Sequence, residues 1–350
     1  KVVDVLALIG HLDPAFLQLM NEVMESLRYV FETSNRVTFP VSGTGSAGME
    51  TCLVNLLEPG DSAVICVNGV FGERMADIAA RCGAEVRRVE APWGAPIDPA
   101  DLRRELAQRK ADLVAIVHAE TSTGVLQPLD EIARIVREHG ALLVVDAVTS
   151  LAGVRVGVDR LGIDACYSGT QKCLSAPPGL SPVTIGPRAE ERLARRKTKV
   201  QSWYLDLTMI SKYWGEERVY HHTAPISMMF ALAEALNIVA EEGLEARERR
   251  HRAISARFIA GLAELKLKPL VEEAFRAPML TTVRVPDGVD ELRVRRFLLD
   301  RHHIEIGGGL GALKGKVWRV GLMGSSCREE NVDRLLAALR EALAEQGYMP

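Results

Sequence analysis

Leu142–Gly179 reads LLVVDAVTSLAGVRVGVDRLGIDACYSGTQKCLSAPPG. It opens on a continuous apolar run that ends on an acid, Asp146. A second short strand-like run, Ala165–Thr170, leads directly into Gln171 and Lys172. Ordinary surface charges rarely sit where apolar segments end. A buried carboxylate or amine needs a partner, or it shifts its pKa and neutralises. The two charges therefore point to one buried ligand, with the rest of the chain arranged around it.

Outward from this stretch, apolar strand candidates alternate with amphipathic helices. The strands are Thr38–Val41, Ala63–Val67, Leu113–His118, Leu142–Asp146, Ala165–Ser168 and Val183–Ile185. Helical windows between them include Gly48–Leu57, Gly72–Cys82, Pro99–Gln108 and Leu129–His139, with Gly83 and Gly140 as stops. A helix over 12–31 precedes them all, with Leu12, Phe16, Leu19, Val23, Leu27 and Val30 on one face. This alternation predicts a largely parallel α/β sheet covered on both faces, with ligands bound beyond the carboxyl ends of the strands. The rhythm changes near residue 225. Two long helices, the strands Leu280–Val285 and Val317–Val320, and helices over Glu291–Arg301 and Val332–Glu345 predict a smaller α+β domain. The expected division is an amino-terminal segment 1–11, a large domain 12–230 and a small domain 231–350.

Composition narrows the function classes. A formal net charge of -3 over 350 residues gives no footprint for nucleic acid or an anionic membrane. The basic cluster Arg195, Arg196, Lys197 and Lys199 reads as a solvated helix end. Six scattered cysteines show no metal-ligand spacing and read as reduced core residues in a cytoplasmic compartment. No apolar run reaches the roughly 18 residues of a membrane span. The start at Lys1, without Met, reads as a trimmed or partial chain. Adjacent His221 and His222 in an extended run should point to opposite faces, which argues against a shared metal. His118, at a strand end, reads equally as a packed histidine or as a neighbour of the ligand.

The turn Ser42–Gly48 (SGTGSAG) follows a short strand and opens a helix. Glycines admit an anion to the backbone, and helix N-terminal amides favour a phosphate. The turn matches GxGxxG, but the next strand ends at Asn68 where a dinucleotide fold needs an acid about 20 residues on. Pro40 also sits in a strand that such a fold would make central. The phosphate is retained and the dinucleotide dropped. Pyridoxal phosphate accounts for all three features: its aldehyde needs a lysine amine, its ring nitrogen a carboxylate, its phosphate backbone donors.

Ser168–Lys172 (SGTQK), followed by Ala176–Gly179 (APPG), resembles the lysine segment of fold-type I, class V pyridoxal-phosphate aminotransferases, and more narrowly the alanine–glyoxylate (serine–pyruvate) group. The resemblance runs through Ile9–His11, Asn68–Gly72, Glu120–Pro128, Ser202–Asp206, Tyr220–Thr223, Gly307–Gly311 and Lys316–Gly321. It implies a mostly parallel, seven-stranded type of sheet sandwiched by helices, and a homodimer whose active site is shared between subunits. It implies that Lys172 attaches the cofactor and moves the substrate α-proton, and that Asp146 keeps the ring nitrogen protonated. Val148 and Phe71 would flank the ring; Phe71 stands where the family often has Trp. Thr121 would hydrogen-bond the ring hydroxyl. Thr44, Gly45, Ser46 and Gln171 would hold the phosphate, with Tyr220 and Thr223 of the other subunit; Ser46 replaces a frequent His. Arg319 would clamp the substrate carboxylate bidentately.

The activity so implied is transamination between a small amino acid, alanine or serine, and a 2-oxo acid, glyoxylate first. Neighbouring possibilities are the 2-aminoethylphosphonate–pyruvate, serine–glyoxylate and 3-hydroxykynurenine types. A cysteine desulfurase would need a loop Cys before the carboxylate-binding arginine, whereas Cys327 follows Arg319. A non-catalytic protein retaining the fold should have lost Lys172, Asp146 or Arg319, and all three are present. Family members usually carry further residues before the Ile9–His11 segment, near the substrate pocket and subunit contact.

Overall fold

A computed structural model describes residues 9–349, so most of the expected segment 1–11 lies outside the described residues. In chain order the first half comprises α1 (Pro14–Phe31), β1 (Val37–Ser42), α2 (Gly45–Leu56), β2 (Ser62–Val67), α3 (Val70–Arg81), β3 (Glu85–Glu90), α4 (Pro99–Gln108), β4 (Leu113–Val117), β5 (Ala119–Glu120), β6 (Val125–Leu126), α5 (Asp130–Glu138) and β7 (Leu142–Asp146). Then follow α6 (Val158–Leu161), β8 (Ala165–Tyr167), β9 (Leu180–Ile185), α7 (Pro187–Ala194), α8 (Leu207–Trp214), α9 (Ile226–Glu242) and α10 (Leu244–Glu264). The last part holds β10 (Leu280–Arg284), α11 (Glu291–His302), β11 (Gly307–Gly308), β12 (Val317–Gly321) and α12 (Glu329–Ala344).

The main sheet has seven strands in the order β1-β9-β8-β7-β4-β2-β3. β8, β7, β4, β2 and β3 pair parallel, and β9 runs antiparallel to both its neighbours. The mostly parallel sheet flanked by helices is the architecture the alternating pattern requires. Its inner strands are apolar throughout because helices cover both faces. β3 (EVRRVE) was not anticipated. It is an edge strand carrying charged, mostly accessible side chains, so it lacks an apolar run.

Two prolines explain why β9 begins at Leu180 rather than at the expected Val183. Pro40 of β1 and Pro182 of β9 face each other in register. Pro182 accepts from the Ser168 amide at 2.8 Å, so its edge facing β8 is the one lacking a donor. The Ser168 carbonyl is satisfied instead by the Ser181 hydroxyl at 2.6 Å. That hydroxyl needs room. A Cβ on Gly48 of α2 would lie 2.0 Å from Ser181 Oγ, so this glycine sets how closely α2 packs on β9.

α1 starts at Pro14 behind the Asp13 cap, whose carboxylate accepts from Ala15 N–H at 2.8 Å. Its buried stripe (Phe16, Met20, Val23, Leu27) packs along α9. Burying each such side chain contributes about 1.5–3 kcal/mol. α9, within which the expected domain boundary falls, adds Met229, Leu232, Leu236 and Val239 to the same large core. A second core lies between the antiparallel sheet β10-β12-β11 and α10, α11 and α12, with Trp318, Phe258, Leu298 and Leu335 inside it.

Candidate active site

β7 pairs with β4 on one side and β8 on the other, and its last residue is Asp146. One carboxylate oxygen accepts from the Val148 amide at 2.8 Å and the other from the Tyr167 hydroxyl at 2.9 Å. The side chain is 2% exposed. Burial pushes the carboxyl up to about 7, against the pull of these two bonds; Glu120 raises it further. No cation forms an ion pair with Asp146 among the described residues. Tyr167 had no signal in the sequence, since its contact with Asp146 spans 21 residues.

β8 ends at Tyr167, and the turn that follows delivers Lys172, partly buried. The turn is held by Lys172 N–H to the Gly169 carbonyl (3.3 Å) and by Thr170 Oγ1 to the Pro177 carbonyl (2.6 Å). Burial, reinforced by the nearby Arg319 guanidinium, lowers the Lys172 pKa. Both effects disfavour the ammonium form, so the amine is easier to deprotonate than a surface lysine.

α2 begins at Gly45 with Thr44 in extended conformation before it, and the Thr44 side chain does not cap it. Its first amides remain available to an anion. A Cβ on Gly45 would stand 3.0 Å from Val148 Cγ2 and 3.6 Å from the Ser168 carbonyl oxygen, so the glycine keeps this corner open. Thr44, Gly45, Ser46, Phe71, Asp146, Val148, Gln171 and Lys172, all expected from the sequence, surround one cavity of about 180 Å³; Met49 and Arg74 complete its wall. The larger surface groove of about 1000 Å³ beside Arg28, Glu32 and Arg155 contains none of the expected residues.

Glu120 organises the opposite approach, and its role could not be read locally. It is 1% exposed. One oxygen accepts from the Phe71 and Gly72 amides at 3.2 and 3.4 Å, capping α3. The other accepts from the Ser122 amide at 3.0 Å and hydroxyl at 2.6 Å. Burial raises its pKa in spite of these donors. Glu120 thereby fixes Phe71 and the Thr121 backbone together. Thr121 pairs its hydroxyl with Thr149 and accepts at its carbonyl from Arg319 Nη1 at 3.2 Å.

Arg319 sits on β12, opposite Thr282 of β10 and Gly307 of β11. Its Nε donates to the Gly308 carbonyl at 2.8 Å. Burial lowers its pKa and Glu120 raises it, while the side chain remains partly accessible. No carboxylate forms an ion pair with it among the described residues.

Tyr220 and Thr223 stand apart from the cavity wall. Both are exposed in the loop between α8 and α9, their hydroxyls 3.4 Å apart. The His221 and His222 rings do not diverge as the extended reading required; their Nδ1 atoms approach to 2.7 Å. The backbone there is irregular rather than strand. His221 stacks on Trp203 with centroids 4.4 Å apart, and His222 Nε2 lies 2.7 Å from Ser42 Oγ. His118 is buried, its Nδ1 3.0 Å from Ser150 Oγ, and burial lowers its pKa to about 4.

A buried acid and a guanidinium that form no ion pair among the described residues, a depressed lysine amine and the start of α2 thus converge on one region. Comparison with known proteins gives these features a family setting. Residues 5–335 match the profile described as Aminotransferase class-V. The chain is 42% identical over 353 residues to the (S)-ureidoglycine–glyoxylate transaminase of Bacillus subtilis, covering 96% of this chain and 85% of the relative. It is 44% identical over 342 residues to the alanine–glyoxylate aminotransferase of Rattus norvegicus, covering 97% and 83%. A crystal structure of an alanine–glyoxylate aminotransferase from Nostoc sp. superposes with a TM-score of 0.95 at 51% identity, covering 97% of this chain and 90% of that one.

Proposed function

The chain belongs to the class-V aminotransferase family, and we propose that it binds pyridoxal 5'-phosphate and transfers an amino group from alanine to glyoxylate as a homodimer. The observation that carries the substrate assignment is the 51% identity and 0.95 TM-score to the Nostoc alanine–glyoxylate aminotransferase. The buried Asp146 carboxyl, with no ion-pair partner among the described residues, supports the cofactor assignment. A buried acid raised to about 7 gains most from a cationic partner, and a protonated pyridine nitrogen is one.

Lys172 would attach the cofactor, with Asp146 facing its ring nitrogen and Val148 and Phe71 beside its ring. Thr121 would meet the ring hydroxyl, and the Thr44–Ser46 turn with Gln171 would hold the phosphate. Bound there, the cofactor supplies an electron sink for the pair left when the substrate α-proton departs. Arg319 orients the substrate by its carboxylate; a planar fork that forms no ion pair among the described residues suits a small monocarboxylic acid. Lys172, with its depressed pKa, takes the proton from the substrate Cα and returns one later in the cycle.

The exposed Trp203, Val219 and Tyr220, on one stretch of chain with Thr223, support a second copy covering this face and contributing Tyr220 and Thr223 to the partner's phosphate site. All six cysteines are buried free thiols, which supports a reducing, cytoplasmic setting. No described helix is long and apolar enough to cross a membrane.

A second reading, (S)-ureidoglycine as donor, rests on the Bacillus subtilis relative, which is nearly as similar as the rat enzyme. Glycine formation from glyoxylate should be compared with L-alanine, L-serine and (S)-ureidoglycine as donors. Alanine should give the highest kcat/KM. A preference for (S)-ureidoglycine would replace the donor, and no glycine with any donor would overturn the glyoxylate assignment.

A further inference from the structure

The cavity wall holds two cations, Lys172 and Arg74. Lys172 is committed to the chemistry, which leaves the phosphate end with neutral partners: the hydroxyls of Thr44 and Ser46, the amide of Gln171 and the amides at the start of α2. A phosphate monoester carries about -1.5 to -2 charge at neutral pH. A helix N-terminus offers the equivalent of only about half a positive charge. The partners assigned so far therefore leave most of the phosphate charge unbalanced in a partly enclosed site.

Arg74 stands at that end. Its Nη1 donates to Ser46 Oγ at 2.9 Å, within the cradle itself. Its guanidinium carbon lies 4.9 Å from the centroid of Phe71, one helical turn before it on α3. The aromatic ring thus helps keep the guanidinium beside Ser46. Among the described residues Arg74 forms no ion pair, whereas the adjacent Glu73 is paired with Arg88. A guanidinium presents several donors in a plane, so it can keep Ser46 and still reach a phosphate oxygen.

We propose that Arg74 is the cation that neutralises the cofactor phosphate, which rests on the cofactor reading above. Ser46 is then the residue that aims it. Anchoring by charge and anchoring by the lysine bond are separable, because pyridoxal has the aldehyde and ring but lacks the phosphate.

The test uses cofactor-free protein titrated with pyridoxal 5'-phosphate and, separately, with pyridoxal, followed by tryptophan fluorescence and equilibrium dialysis. Arg74→Ala should weaken binding of the phosphorylated ligand about tenfold to a hundredfold, the scale of a lost charge-assisted hydrogen bond, and leave pyridoxal affinity unchanged. Arg74→Lys, which keeps the charge without the fork, should fall between. Arg74→Gln, which keeps donors without charge, should match Ala and guards against a folding defect confined to one variant. Equal affinity of Arg74→Ala and the natural protein for the phosphorylated ligand would overturn the proposal. So would an equal loss for both ligands, which would assign Arg74 to the packing of Phe71. If the natural protein bound neither ligand, the cofactor reading itself would fall, and that result is distinct from both.

Discussion

At the carboxyl end of the seven-stranded sheet, Asp146 is held by two hydrogen bonds, is almost fully buried, and sits between two parallel neighbours. On the three-stranded sheet, Arg319 leans on two backbone carbonyls, is partly accessible, and has the two-residue β11 on one side. The first setting fixes a group that must not move or change partner. The second presents a group to whatever enters. A covered parallel sheet is suited to the one because every position is packed on both faces. The small antiparallel sheet serves the other because Arg319, although on its central strand, keeps its side chain partly accessible. The two are not independent. Arg247 of α10, itself buried, donates to the carbonyls of Ala152 at 2.9 Å and Cys173 at 2.6 Å, next to Lys172. About one turn on, Arg250 reaches the carbonyls of Gly324 and Cys327, and His251 accepts from the Gly324 amide at 3.0 Å, just beyond β12. α10 therefore ties the lysine turn to the exit of the arginine strand.

The largest effect should come from the rigid side. Lys172→Ala should lower turnover about 10⁴-fold, because in the proposed function it removes the group that moves the proton. Its melting temperature should stay near that of the natural protein, since among the described residues the amine makes no hydrogen bond on which the fold depends. Calorimetry alongside steady-state rates checks both. Retention of a tenth of the activity would remove Lys172 from the chemistry and undo the contrast drawn above.

Asp146→Asn sharpens the same side through pH. The folded carboxyl titrates at about 7 against an ordinary 3.8, so the native state holds its proton longer than the unfolded chain does. As pH rises through this window the unfolded chain ionises first, and native stability is lost; below it the group costs nothing. Cofactor-free Asp146→Asn should accordingly be more stable than the natural protein at pH 8, by about 2–4 kcal/mol, with the difference vanishing near pH 4. With cofactor present the order should reverse, because only the carboxylate pairs with a cationic ring. Urea denaturation at the two pH values decides it; no gain at pH 8 without cofactor would mean that the Tyr167 and Val148 bonds already compensate the burial.

The same contrast governs how much could be read from the sequence. Asp146 and Lys172 were legible because each ends an apolar run, a local signal. The cradle was legible because glycines mark a tight turn. Arg319 carried no local signal and rested on family resemblance. Glu120, Tyr167 and Arg74 gained no roles in advance because their partners lie 21 to 49 residues away. Only the folded chain shows that Glu120 caps the helix bearing Phe71. β3 was missed for its polarity, and the first half of β9 because Pro182 argues against a strand unless a neighbouring hydroxyl can replace the missing donor.

Arg319→Lys breaks the comparison at its softer end and should have the smallest effect. The substitution keeps the charge on β12 but replaces a planar fork by a point charge. In the proposed function one of two parallel bonds to the substrate carboxylate is lost, which should raise KM for alanine about tenfold. Cofactor affinity should not move, because Arg319 reaches Thr121 only through a backbone carbonyl that Lys leaves in place. The pH profile should shift as well. The Arg319 charge helps lower the Lys172 pKa, and an ammonium on a flexible stem holds that position less firmly. Weaker repulsion lets the Lys172 pKa rise, so the alkaline-going limb of activity should move to higher pH. An unchanged KM with a lowered cofactor affinity would show that the small sheet serves the cofactor and not the substrate, and that the division of labour between the two sheets is drawn in the wrong place.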